Sequence, residues 1–213
     1  GFDYQENARV KCGYAQWDRG KGYALLLDEP YLTSGIEDTL AVAAEKMEYF
    51  EPERKLIATF NVQVDRGEFH TTSDFLIYFL EEEKAIFTGE PKFISDFADA
   101  KATEFHLFMK ERKLVKAELI DSCHIDFAEE RFKEKKNTVD ADIVTMDFLD
   151  EQLRRFVAEG EVSYFYQQDE TEKKDFMINS ATGLYLQANF DEESKLQNMQ
   201  MKTDIKGKYV FKK

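Results

Sequence analysis

The chain has 213 residues, 43% hydrophobic and 34% charged, with 43 acidic against 29 basic side chains and a formal net charge of −14. That size supports a sizeable core without disulfide staples, and that composition is globular rather than disordered. A surface of this sign repels phosphate backbones and anionic lipid, so nucleic-acid binding through phosphates and attachment to a membrane are both excluded as expectations. No apolar run approaches the ~20 residues of a membrane-spanning helix. The chain starts Gly-Phe-Asp, without a methionine. This keeps a secreted or periplasmic location open beside a slightly favoured cytoplasmic one.

In chain order, residues 10–27 read as a hairpin with its tip at Asp18–Gly22 and Trp17 facing Tyr23. Ser34-Gly35-Ile36-Glu37 has the form of a capping box, and Ile36, Leu40, Ala43, Ala44 and Met47 follow at helical spacing. A first helix is therefore predicted over 34–49, stopped by Pro52. Residues 56–64 alternate as a strand, with Ala58, Phe60, Val62 and Val64 facing the core, and Asp65-Arg66-Gly67 turns. The apolar run FLIYFL, 75–80, reads as a buried strand, with a helix from Ser73-Asp74 as the competing reading. A short helix over 95–102 is capped by Ser95.

Residues 103–127 form the clearest hairpin. A turn at Glu111-Arg112-Lys113 sets Met109, Leu107 and Phe105 against Val115, Ala117 and Leu119. The charge run 129–136 reads as a solvated segment. A second helix is predicted over 145–159, with Phe148, Leu149, Leu153, Phe156 and Val157 as its stripe and Gly160 as its cap. The last third reads as a strand meander, with Tyr164 and Tyr166 pairing with Ile178 and Phe176.

The expected fold is thus α+β: mostly antiparallel sheet, as hairpins and a C-terminal meander, with two principal helices packed on it. It is read as a single domain over 1–213, the alternative being two subdomains, 1–95 and 96–213.

Motifs for phosphate loops, a nucleophile elbow, zinc sites and EF-hands are absent from the sequence. No cofactor and no metal is expected. The candidates for chemistry are His124 and Asp126, one face of a strand bearing a carboxylate that orients an imidazole, with His70 and His106 as further histidines. Cys12 and Cys123 are expected to be unlinked, and Cys123 buried. The favoured function is a non-catalytic binding or protein-interaction protein whose acidic surface meets a basic protein partner. The alternatives are a carrier of small apolar ligands with an aromatic-lined cavity, and an enzyme using His124 and Asp126.

Overall fold

The computed structural model describes residues 2–3, 8–35, 39–67, 69–95, 98–127, 137–169, 176–193 and 195–212. Among these every regular element is a strand, so the chain is all-β and the α+β expectation is overturned. The expected helix over 34–49 is β5 to β7, that over 145–159 falls in β15 and β16, and that over 95–102 contains β12. The helix from Ser73-Asp74 lies inside β9. Ile36 and Glu37 of the capping box and the charge run 129–136 lie outside the described residues. The antiparallel pairing holds for every ladder.

The chain divides into two compact units. The first, residues 1–95 with 104–112, contains β1 (Phe2–Asp3), β2 (Ala8–Lys11), β3 (Tyr14–Asp18), β4 (Tyr23–Leu27), β5 (Tyr31–Ser34), β6 (Leu40–Ala43), β7 (Lys46–Phe50), β8 (Lys55–Arg66), β9 (Phe69–Phe79), β10 (Lys84–Thr88) and β11 (Lys92–Ile94). β13 (Glu104–Lys110) belongs to it as well. The second, residues 96–103 with 113–213, contains β12 (Ala98–Lys101), β14 (Lys113–Phe127), β15 (Asn137–Leu149), β16 (Gln152–Asp169), β17 (Phe176–Phe190), β18 (Leu196–Lys202) and β19 (Lys206–Lys212).

Both units are built from long strands broken once in the middle. In the first unit β8 pairs with β7 through Lys55–Thr59 and with β6 through residues 63–66, and its ladder to β9 shifts between Thr59 and Val62. At the shift Phe60 and Asn61 both have positive φ, 63° and 49°. Two residues there oppose the single Asp74, which makes a bulge that bends the strand. The same paired left-handed residues recur at Asp28-Glu29, Gly89-Glu90, Asp121-Ser122 and Thr203-Asp204. Short polar side chains and glycine tolerate that conformation best, which is why Asp, Ser, Asn and Gly collect at these corners. The residue that follows turns inward at four of these corners, where Pro30, Val62, Pro91 and Cys123 are all fully buried, whereas Ile205 after Thr203-Asp204 is 54% exposed; Val162, after the Gly160 corner, is also fully buried.

Each unit thereby acquires two sheet halves. In the first, a row of neighbouring inward residues runs Met47, Ala58, Leu76, Phe87, Phe105, all buried. Val42, Val62, Thr71 and Ser73 are buried on the other half. Arg112 donates from Nη1 to Ser34 Oγ (3.1 Å) and from Nη2 to Ser34 O (3.3 Å), tying the tip of one half to the end of the other. In the second unit Leu119, Val144, Ala158 and Leu186 form the equivalent row. The Phe127 ring from one half meets Phe156 from the other at 5.8 Å, edge on. Alanines recur along these rows, and small side chains let the halves approach closely.

Smaller corrections follow from register. Trp17 pairs with Ala24, and Tyr23 with Asp18. Phe60 is exposed at its corner instead of buried. Tyr164 and Tyr166 pair with Ala181 and Asn179. The central turn holds Glu111 and Arg112 only, both with positive φ, and Lys113 is already in β14. Such a pair of left-handed residues is the signature of a two-residue turn. Burial of Phe105, Ala117 and Leu119 agrees with the face chosen for them.

Candidate functional site

On the outer face of the second unit the ladders set Lys101, His124, Asp140, Ser163, Thr182 and Lys206 side by side across neighbouring strands. His124 is half-buried and held from both sides. Its Nδ1 lies 2.6 Å from Asp140 Oδ1 and its Nε2 3.1 Å from Asp126 Oδ2. The His124–Asp126 pair read from strand parity is therefore present, with a cross-strand carboxylate, Asp140, that the sequence did not reveal. Ser163 Oγ donates to Asp140 Oδ2 at 3.3 Å. The order serine–carboxylate–imidazole differs from a nucleophilic relay, in which the imidazole sits between the other two. Here the carboxylate holds both groups, and the imidazole does not touch the hydroxyl.

The other histidines lie in the first unit. His70 Nδ1 is 2.6 Å from Asp65 Oδ1 on the neighbouring strand. His106 Nε2 pairs with Glu104, two residues along its own strand. The two occupy different sheet halves: His70 pairs with Ile94 of β11, and His106 with Ile86 of β10. Each histidine of the chain thus has its own carboxylate. Among the described residues no group of three or more His, Cys, Asp or Glu could hold a metal ion.

Both cysteines are free, and Cys123 is buried, as its strand parity predicts. It faces away from His124 and donates from Sγ to the Asp142 carbonyl at 3.4 Å. Burial pushes its thiol up to about 11, helped by the nearby charges of Asp121 and Asp142. The thiolate is the reactive form, so at pH 8 alkylation of Cys123 in the folded protein should run about two orders of magnitude slower than in denaturant. Timed iodoacetamide labelling with peptide mapping checks this; equal rates would show an accessible thiol. The raised pKa contributes stability that is fully present below the ordinary thiol value and is lost as pH rises towards 11.

Each unit has an open depression among its described residues. One, of about 350 Å³, is lined by Lys101, Ser122, Cys123, His124, Asp140, Ala141, Asp142 and Glu161. The other, of about 790 Å³, is lined by Gln16, Trp17, Asp18, Arg19 and Glu51.

The C-terminal strands carry a different feature. β18 pairs with one half of β17 and β19 with the other, and neither has a second partner strand in the ladders of the described residues. Inward-facing Leu186 on β17 is 1% exposed, yet Met199, beside inward-facing Ala188, is 41% exposed. Tyr209 and Phe211 on β19 also face inward and are 62% and 52% exposed. The inner face is thus uncovered at this edge. Residues 195–213 also hold six lysines against one aspartate, in a chain of net charge −14. That run of sign was readable in the sequence; the open edge was not.

No family model matches the chain, and no curated protein matches it. Among solved structures it is similar to the crystal structure of LptH, the LptA homologous periplasmic component of the conserved lipopolysaccharide transport device from Pseudomonas aeruginosa. Identity is 11%, 95% of this chain and 99% of that chain are covered, and the TM-score is 0.30. A likeness at that score carries no argument about this chain. Among the described residues no helix is long and apolar enough to cross a membrane.

Proposed function

We propose that the protein is a non-catalytic binding protein that receives an extended, acidic segment of a protein partner along β18 and β19. The carrying observation is the exposure of inward-facing Met199, Tyr209 and Phe211 at an edge whose strands have no second ladder among the described residues. Adding a strand there would supply that ladder and cover the apolar side chains together. Covering a Met, Tyr or Phe side chain fully is worth roughly 1.5–3 kcal/mol. Lysines on an edge strand also discourage unwanted pairing. A lysine fringe alone does not account for apolar residues on the inward positions, and it selects an acidic segment from among extended ones. This partner is opposite in sign to the basic one that the overall charge suggests.

The enzyme reading has less support, because His124 is engaged by Asp140 and Asp126 and no hydroxyl or thiol is bonded to it among the described contacts. The carrier reading has less support as well, because the depressions at Trp17 and at His124 are open and bounded largely by polar and charged side chains.

A photoreactive residue placed at 209 or 199 in cells that make the protein tests the proposal, with Ser180 on the outward face of β17 as control. Protein adducts are expected from 209 and 199 but not from 180, and they should weaken with added salt. The same adducts from all three positions would sink the reading. An adduct with a small apolar molecule would favour the carrier instead.

A further inference from the structure

Trp17 is the single tryptophan of the chain, and it is 56% exposed. Register explains why this is unusual. Trp17 sits beside Ala24, which sits beside Tyr49, on the inward side of the first unit's sheet. Ala24 is buried, so a small side chain floors the gap between indole and phenol. β3 pairs with β4 alone in the ladders of the described residues, and the indole is therefore left open at the sheet edge.

The surroundings are polar and fixed in place. Asp18 Oδ1 accepts from the Gly20 and Lys21 amides at 3.0 and 3.1 Å, which sets the hairpin tip. The Glu51 amide donates to the Gly22 carbonyl at 2.8 Å, which ties the neighbouring turn to that tip. The Tyr49 hydroxyl accepts from Arg54 Nη1 at 3.3 Å. Gln16, Asp18, Arg19 and Glu51 line the depression of about 790 Å³ that the indole opens into.

We infer that this depression binds a neutral sugar ring. One face of a pyranose is made of C–H groups and suits a flat indole, while its rim of adjacent hydroxyls both donates and accepts. The depression offers that combination: one large aromatic plane, a carboxylate acceptor on Glu51 and a guanidinium donor on Arg19, with Gln16 and Asp18 on the opposite face of the edge strand at its rim, Asp18 being engaged by the Gly20 and Lys21 amides and by Lys21 Nζ at 3.6 Å. A hydrocarbon ligand would leave the polar groups without partners once water is displaced. An anion would face Asp18 and Glu51, and a cation would face Arg19. The ligand class that satisfies Arg19 and Glu51 together while covering the indole is uncharged and polyhydroxylated, with an apolar face.

The lone tryptophan makes the test direct. The 213-residue chain is titrated with maltose, cellobiose and N,N′-diacetylchitobiose, with glycerol as a hydroxylated compound lacking a ring face. A saturable blue shift of the emission with at least one disaccharide, and none with glycerol, is the expected result. Calorimetry on Glu51→Gln should then show binding weakened about tenfold, the loss of a hydrogen bond to a charged group. Trp17→Ala, read by the same calorimetry, should abolish the heat while the circular dichroism spectrum stays that of the parent. No saturable response to any of the three disaccharides overturns the inference, as does an equal response to glycerol or an unchanged affinity in Glu51→Gln.

Discussion

Gly160→Ala is expected to destabilise the protein by about 3 kcal/mol, which for a chain of this size lowers the melting temperature by roughly 6–12 °C. Two causes add. Gly160 has φ +96°, a conformation that costs a residue with a Cβ about 1–2 kcal/mol. A Cβ there would also lie 2.5 Å from Asp142 Cβ and Cγ and 2.0 Å from Asp142 Oδ2. The first contact is with the root of the side chain, so rotation alone does not relieve it, and overpacking of this kind costs about 1–3 kcal/mol. Asp142 cannot simply swing away without loss, because its Oδ2 accepts the Glu161 amide at 3.1 Å. Gly67→Ala is the control. Its φ is also positive, +57°, but nothing lies within 4 Å of the added carbon. It should cost about 1 kcal/mol, the left-handed penalty alone. Denaturant midpoints for the two variants separate strain from close approach. Adding Asp142→Gly to Gly160→Ala should recover part of the loss, and equal midpoints for both alanine variants would show that the corner is not tightly packed.

The corners also explain why strands of this chain carry apolar residues at helical spacing. In a flat strand inward residues recur every second position. Across a bend, the strand that contributes one residue steps by three, as from Ala44 to Met47, Ser73 to Leu76 and Ala141 to Val144. The strand that contributes two steps by four, as from Ala58 to Val62, Leu119 to Cys123 and Ala158 to Val162. Steps of three and four are the helical spacings. The stripe Leu40, Ala43, Ala44, Met47 is β6, a corner and β7. The stripe from Phe148 to Val157 straddles the turn Asp150-Glu151, where both residues have positive φ. Where no bend intervenes, parity is legible: Cys123 and Ile125 share a buried face, and Phe105 is buried. The run FLIYFL is legible by its length and aromatic content, and residues 75–79 are strand, with Leu76 buried but Phe75 39% exposed.

For the candidate residues, local pairs were legible and cross-strand ones were not. Asp126 is two residues from His124, so parity alone put them on one face. Asp140 reaches the same imidazole only through the β14–β15 ladder, whose register contains a shift between Ile120 and Cys123. Alternation cannot supply that shift. The lysine run at 195–213 was visible as composition, but its meaning depends on β18 and β19 being edge strands.

Phe105→Ala and Phe60→Ala turn the bend into a measurement. Alternation along β8 places Phe60 in the core with Ala58 and Val62. In the structure the left-handed pair at Phe60-Asn61 throws its ring outward, 52% exposed, where it touches only the similarly exposed Phe75 at 5.7 Å among the ring contacts. Phe105 is 2% exposed and sits against Phe87 in the inward row. Truncating a buried Phe costs about 3–5 kcal/mol through lost burial and the cavity left behind. Truncating an exposed one in a single ring pair costs about 1 kcal/mol or less. Since a domain's whole stability is about 5–15 kcal/mol, Phe105→Ala should lower the urea midpoint steeply, and Phe60→Ala should barely move it. Comparable losses from both would put Phe60 in the core, and the left-handed pair seen also at Asp28-Glu29, Gly89-Glu90, Asp121-Ser122 and Thr203-Asp204 would be wrong at that position.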